Sequence, residues 1–282
     1  MKAYLNLGCG ERFHPDWINV DLTEGRSNVI SHDLVTGIPF AAESVDAVYH
    51  AALFEHIRRG DAANFLRETH RVLKPGGIVR VGVPDLEKIC RTYLEKLEAA
   101  LAGDKEATND YDWIVLEMFD QMVRESSGGL MLKYLRRQPL PNEQFIVQRI
   151  GHEGCKLIEE IRRQEAARNK GLTALLYQRA RAIAQALRDR LLTVVAGRKA
   201  AQAIAIGRFR LSGEVHHWMY DRFSLARELM VAGFHEPIVR SASESAIPDW
   251  SRFCLDVQSD GTINKPDLLF MEAIKPKTQA NL

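Results

Sequence analysis

No CxxC pair occurs in this chain of 282 residues, whose four cysteines (Cys9, Cys90, Cys155 and Cys254) lie far apart. That spacing argues against a zinc cluster or a disulfide framework and reads as the reduced thiols of a cytosolic protein. No apolar run approaches the ~18–20 residues of a membrane span. A single Lys precedes the first apolar run, so no signal peptide is expected. Charge of one sign is also scarce: 38 Lys and Arg against 37 Asp and Glu leave a formal +1. The whole molecule therefore offers no electrostatic case for nucleic acid, and none is expected as a partner. What is present, 46% apolar and 27% charged residues, is the balance of a globular protein with a sizeable core. The length fits one large domain, or one domain carrying an insertion.

Short apolar runs alternate with turns and helical patterns at the start of the chain. Ala3–Leu7, Ile18–Asp21, Asn28–His32, Val45–Tyr49 and Ile78–Val83 read as buried strands. Between the last two, Phe65, Leu66, Val72 and Leu73 make one helical face, with Asp61 as N-cap and Lys74-Pro75-Gly76-Gly77 as stop. Strands separated by helices predict a doubly wound, mostly parallel sheet. The theme resumes after a second helix ending at Gly233, with strands at His235–Ser241 and Leu268–Ile274. Between these parts the pattern is almost wholly helical. The chain thus divides into 1–85, a helical insertion over 86–210 serving as lid or docking region, and 211–282 completing the sheet.

Within that insertion, Lys156 to Arg210 carries thirteen Lys and Arg against four Asp and Glu. Leu172, Leu176, Ile183, Leu187, Leu191 and Val194 recur at helical spacing, with Arg179, Arg181, Arg188 and Arg190 mostly on other faces. A solvated face of a packed helix is the plain reading. Contact with an acidic membrane surface or a phosphorylated substrate is the functional one, and makes the protein peripheral to the inner face of the membrane.

Leu7-Gly8-Cys9-Gly10 ends the first strand, and Asp21 ends the second, eleven residues after Gly10. In an open parallel sheet, ligands bind outside the carboxyl ends of the strands. A dinucleotide fingerprint needs a third glycine and an acid about 20 residues on. Here the third glycine is missing and the acid comes early, which argues against a pyrophosphate cofactor and fits a nucleoside without phosphate. At the end of its strand Asp21 can accept hydrogen bonds from both ribose hydroxyls. Asp33 and Leu34 close the third strand, where a carboxylate and an amide can read an adenine edge.

LNLGCG, VISHDL, IPFAAESVDAVYHAALFEHI and HRVLKPGGIVRVGVPD resemble, in order, the motifs of class I S-adenosylmethionine-dependent methyltransferases of the type 11 group. The likeness covers about residues 3–85. HHWMYDRFSLARELMVAGF, DGTINKPDLLFMEA and, less closely, DYDWIVLEMFDQMVRESSGG resemble members associated with bacterial surface-polysaccharide synthesis. The resemblance implies a Rossmann-like, seven-stranded sheet whose last strand runs antiparallel. It implies S-adenosyl-L-methionine as cofactor, with Gly8, Cys9 and Gly10 at its methionine end, Asp21 at its ribose, and Asp33 with Leu34 at its adenine. It further implies methylation of a sugar hydroxyl in a surface glycan or glycolipid precursor. A small metabolite or lipid acceptor is the second enzyme reading, and a non-catalytic scaffold that keeps the nucleoside site is the third. The departure is ERFHPDW, too short for a helix between the first two strands, which leaves the helical insertion to cover the methionine end.

A sugar hydroxyl is a poor nucleophile near neutrality, so O-methylation gains from a general base, about 10²–10⁴-fold. His56, Asp85 and His217 are the candidates, with His50, His216 and Asp221 beside them. His56 and His217 read equally well as satisfied structural histidines, and Asp85 as the cap of the next helix. No Asn-Pro-Pro-Tyr follows the fourth strand, as in enzymes that methylate the amines of bases, and no Pro-Cys nucleophile stands there. No metal site is expected. Asp256 to Asp267 mimics a calcium loop, but Gln at position three and Pro at eleven favour a β-turn joining the last strands. Asp120 to Gly129 reads either as a substrate-binding stretch or as a glycine-capped helix end.

Overall fold

The computed structural model describes residues 2–168, 193–195 and 197–277. Seven strands form one sheet: β1 (Tyr4–Leu7), β2 (Ile18–Asp21), β3 (Val29–Ser31), β4 (Val45–Ala51), β5 (Leu73–Pro84), β6 (His235–Arg240) and β7 (Leu268–Ile274). Their order is β3-β2-β1-β4-β5-β7-β6. β1 to β5 pair in parallel, while β7 runs antiparallel to both β5 and β6. The doubly wound, mostly parallel seven-stranded sheet expected from the sequence is therefore present. Strand order reverses beside β1, so the ends of β1, β2 and β4 border the crevice where such sheets bind ligands.

Two helices cover one face, α1 (Arg59–Val72) and α7 (Arg222–Val231). Alternate residues of the strands, among them Leu5, Leu7, Val48, Val79, Val81 and Val83, meet Phe65, Leu66, Leu225 and Leu229 there. Arg58 rather than Asp61 stands at the N-cap of α1, and Asp61 lies in its first turn, where a carboxylate suits the helix dipole. Lys74-Pro75-Gly76-Gly77 ends α1 but does not interrupt the chain's extended course. β5 begins at Leu73 because Gly76 and Gly77 exchange backbone bonds with Lys275.

The opposite face is covered differently, because residues 8–17 supply no helix. Tyr4, Trp17, Tyr49, Trp250 and Phe253 pack there, mostly edge to face. Arg80 projects from β5 into the same layer and is fully buried. Its Nε donates to Asp256 at 2.9 Å and its Nη1 to Glu272 at 3.0 Å, while Ser241, Ala242 and Glu244 carbonyls accept from the rest of the guanidinium. Asp256 also accepts from the Tyr49 hydroxyl at 2.6 Å. The first acid of the calcium-like stretch is thus committed to the core. Val257 bridges Ile263 in a tight turn ahead of β7, rather than in a hairpin between two long strands.

Between β5 and α7 the described elements are helices: α2 (Leu86–Leu101), α3 (Lys105–Val123), α4 (Gly129–Leu135), α5 (Glu143–Arg168) and α6 (Arg198–Arg210). Trp113 centres a separate core with Tyr134, Leu135, Ile146 and Ile158. Beside it Arg149 and Glu117 form a buried ion pair at 2.5 Å, with the Trp113 indole donating to the same carboxylate. α5 kinks at Gly151, where φ is +60°. A Cβ at that position would lie 2.3 Å from Pro266, so only glycine lets residues 263–266 seat against the kink. The expected hydrophobic stripe from Leu172 to Leu191, with Arg179, Arg181, Arg188 and Arg190, lies outside the described residues.

Candidate active site

The glycine turn leaves β1 with left-handed backbone at Gly8 (φ +62°) and Gly10 (φ +52°). A Cβ on Gly8 would meet Leu53 at 2.7 Å, so the turn also allows the loop after β4 to close in. Cys9 is buried between them, and burial, then the Asp21 charge, pushes its thiol up to about 11. It is a small packing residue, not a thiolate. The Gly10 amide donates to Asp21 Oδ2 at 2.8 Å and the Thr23 amide to Oδ1 at 2.9 Å. Burial works against the charge of Asp21, but those donors and nearby Arg26 outweigh it and hold its pKa below the usual carboxylate range. Arg26, which carries no sequence signature, also donates to the Gly10 carbonyl.

Each carboxylate oxygen has about two acceptor positions. With one backbone donor on each oxygen and the Thr23 hydroxyl beside them, Asp21 still has acceptor capacity to offer a ribose hydroxyl. Asp33 follows β3 and caps a 3₁₀ turn at Leu34–Thr36, accepting from the Val35 amide at 3.0 Å through Oδ1. Its second oxygen is bound to nothing among the described residues, and Leu34 is buried beside it. Gly8, Cys9, Gly10, Asp21, Asp33 and Leu34 thus stand at the ends of three neighbouring strands. They fit a nucleoside that carries no phosphate.

The proposed bases are not brought together as a set. His50 is fully buried on the α1 face, its ring against Phe54 and Phe65, and burial drops its pKa to about 3. It is a core residue. Asp85 caps α2 by accepting from the Lys88 amide at 3.1 Å, and Asp221 caps α7 in a box with Ser224. The His217 ring is half-buried, in the field of Arg58, Arg210 and Asp61. His56 instead meets His216, ring centroids 4.6 Å apart.

Sequence reasoning missed Glu55. It sits in the 3₁₀ turn after β4 (Phe54–His56), fully buried, with neither carboxylate oxygen hydrogen-bonded among the described residues. Burial pushes its pKa up to about 7. The Glu55 carbonyl accepts from the His217 amide at 2.7 Å, and the His216 amide donates to Gln121 of α3 at 3.0 Å. Those bonds draw residues 214–219 over the turn, which is why Glu55, His56 and His216 converge. Their ligand-capable atoms lie within 4.8 Å of one another.

Beyond the end of β5 opens a cavity of about 510 Å³, walled by α3, α4, α5 and residues 214 and 265–267. Its lining mixes Trp113, Met131 and Leu135 with Gln121, Arg124, Glu214, Lys265 and Asp267. Asp267 Oδ1 is buried there without a donor among the described residues. Glu153, on the same wall, pairs with Arg12 of the glycine-turn loop at 2.8 Å. The stretch from Asp120 to Gly129 contributes both a wall and a helix end. The Asp120 carboxylate accepts from Leu130 and pairs with Arg124, while Arg124 and Gly128 line the cavity.

Such a crevice, with Asp21 and Asp33 at the strand ends that border it, suits a nucleoside. Residues 5–81 match the family model described as a methyltransferase domain. This part of the chain is therefore a methyltransferase domain of the S-adenosylmethionine-dependent class, and S-adenosylmethionine is its cofactor. Among solved structures, a SAM-dependent methyltransferase from Thermotoga maritima is 13% identical with a TM-score of 0.39, over 98% of this chain and 83% of that one. The YcgJ protein of Bacillus subtilis is 11% identical with a TM-score of 0.36, over 98% and 93%. A curated relative, elongation factor P of Lachnoclostridium phytofermentans, is 28% identical over 111 residues, or 39% of this chain. The match spans 55% of that protein's length.

Proposed function

We propose that the protein transfers a methyl group from S-adenosylmethionine to a hydroxyl of a sugar, in a surface glycan or glycolipid precursor. The observation that carries this reading is the 510 Å³ cavity, whose wall holds Asp267 Oδ1 without a donor. Its size falls within the ~300–1,000 Å³ of small-molecule pockets. Apolar surface from Trp113 and Met131 beside amide, acid and cationic groups suits a sugar, which has an apolar face and a rim of hydroxyls.

When bound, S-adenosylmethionine supplies a methyl group on a positively charged sulfur, which departs as a neutral thioether. The protein's share is alignment and exclusion of water. Gly8 and Gly10 clear space at the methionine end, Asp21 fixes the ribose, and Asp33 with Leu34 the adenine. Arg12 and Glu153 tie that turn to the acceptor cavity. The hydroxyl is activated at the group formed by Glu55, His56 and His216, which shares the field of Lys265 with the cavity wall. α6 buries none of its residues and carries Arg198, Lys199, Arg208 and Arg210. That surface suits an anionic membrane presenting a lipid-linked acceptor.

The test is methyl transfer followed by mass spectrometry across nucleotide sugars, lipid-linked sugars, small metabolites, lipids and RNA. Transfer to a sugar hydroxyl, reduced at least tenfold by Asp267→Asn with S-adenosylhomocysteine binding intact, supports the reading. Transfer only to a non-sugar acceptor, or cofactor binding with no transfer at all, overturns it. Failure to sediment with anionic vesicles at low salt would remove the membrane contact.

A further inference from the structure

We propose that Glu55, His56 and His216 form a binding site for one divalent transition-metal ion at the carboxyl end of β4. The three side chains are a two-histidine, one-carboxylate set, the donor chemistry that takes zinc, iron(II), cobalt(II) or manganese(II). Their ligand-capable atoms lie within 4.8 Å of one another. Two ligands of a tetrahedral ion stand about 3.4 Å apart, so side-chain rotations close the set.

Three independent features point to an ion. Glu55 is fully buried, and both its oxygens lack a donor among the described residues. An unpaired buried carboxylate is among the costliest arrangements in a protein unless a cation or a proton neutralises it. His56 Nδ1 lies 3.2 Å from the Val215 carbonyl. A donor bond there places the proton on Nδ1 and leaves Nε2 with a free lone pair, the tautomer of a metal ligand with its supporting bond already made. His216 is buried, and its ring stands edge-on to that of His56, centroids 4.6 Å apart. The carboxylate and both rings are held by backbone bonds across the turn, at 2.7 Å from His217 to Glu55 and 3.0 Å from His216 to Gln121.

Lys265 acts on all three groups as a positive neighbour and opposes the ion, while Asp267 acts on Glu55 with the opposite sign. With three protein ligands an ion keeps an open position. Resting on the reading above, an ion held by these three residues would lower the pKa of an acceptor hydroxyl that reached the open position, its proton passing to water. The three side chains then act through the ion rather than as free bases.

The test does not require an acceptor. The full chain, stripped with a chelator and checked for residual metal by elemental analysis, is titrated with cobalt(II) and then zinc(II). Calorimetry and the visible absorption of ligated cobalt are the readouts. One equivalent is expected to bind, with affinity at least tenfold weaker in Glu55→Gln and in His216→Ala but unchanged in His217→Ala. Circular dichroism and S-adenosylhomocysteine titration identify any variant that has lost its fold, and His56→Gln replaces one that has. No uptake by the folded wild type, or uptake unchanged in every cluster variant, overturns the site and leaves Glu55 as a buried neutral acid. Metal binding without sugar methylation would retain the site while removing the acceptor reading.

Discussion

Replacing Asp21 by Asn isolates what its charge contributes to cofactor binding. The carboxylate accepts one backbone bond on each oxygen, from Gly10 at 2.8 Å and Thr23 at 2.9 Å. The Thr23 side chain also bonds the carboxylate, which still has acceptor capacity for a ribose hydroxyl. Asn preserves the shape and one acceptor oxygen, but its amide nitrogen would face a donor at the other. A hydrogen bond to a charged group contributes about 1.5–3 kcal/mol, and one such bond is lost. The expected loss in affinity for S-adenosylhomocysteine is roughly 10- to 150-fold, at about 1.4 kcal/mol per tenfold. Asp21→Ala removes both bonds and also frees the Gly10 amide, so it should add a stability loss of about 1–2 kcal/mol. Calorimetric titration gives the affinity, and urea denaturation the stability. An Asn variant that binds within threefold of wild type would refute the assignment of Asp21 to the ribose.

Arg80→Met should destabilise by about 3–5 kcal/mol, because it leaves Asp256 a buried charge without its cation; a loss under 1 kcal/mol in urea denaturation would contradict the buried pairing. His50, with its pKa lowered to about 3 by burial, binds a proton more readily in the unfolded chain than in the folded one between pH ~3 and ~6.5. Its contribution is therefore complete above pH 6.5 and is lost as pH falls through that window. His50→Leu should move the acid-unfolding midpoint to lower pH without loss of stability at pH 7, and an unmoved midpoint would show that other groups govern it. The Cys9 thiol, pushed up to about 11, should be roughly one part in a thousand thiolate at pH 8. Iodoacetamide should then label Cys90, Cys155 and Cys254 well before Cys9 in peptide mass spectrometry, and early labelling of Cys9 would mean an open turn.

The parallel half of the sheet was legible because each strand is a short apolar run whose alternation and spacing are local. So was the glycine turn, since Gly8, Gly10 and Asp21 lie close in sequence and their roles follow from strand ends. The extent of β5 was not legible: Pro75-Gly76-Gly77 ordinarily breaks structure, and only pairing with Lys275, nearly two hundred residues on, holds it extended. The commitment of Asp256 to the core was not legible, because the groups that claim it, Tyr49 and Arg80, stand 207 and 176 residues away. Among the histidines, type alone could not separate a core residue from a site residue. His50 and His56 are six apart, and strand alternation buries the first under Phe65, while the turn after β4 presents the second to His216. Glu55 carried no signal beyond its place in FEH, since its burial depends on residues 214–219.

The missing helix between β1 and β2 links these observations. A helix there would cover the sheet face now filled by Trp17, Trp250, Phe253 and the buried Arg80 network. Without it, residues 11–17 cross directly from the glycine turn to β2, and Arg12 reaches both the Leu255 carbonyl and Glu153 of α5. The amides of His152 and Glu153, at the same kink, donate to the Ile263 and Asn264 carbonyls, at 3.2 Å each. A helical insertion thus contacts the cofactor turn and the loop before β7 through one short segment. Glu153 and Lys265 belong at once to that junction and to the wall of the acceptor cavity. The Arg12–Glu153 pair is partly exposed, so it contributes little stability; its consequence is positional. Any shift of α5 on acceptor binding must move Arg12, and with it the loop that carries Gly8 and Gly10. Omitting one helix therefore places the donor site and the acceptor site on a shared element, where a longer connection would have kept them apart.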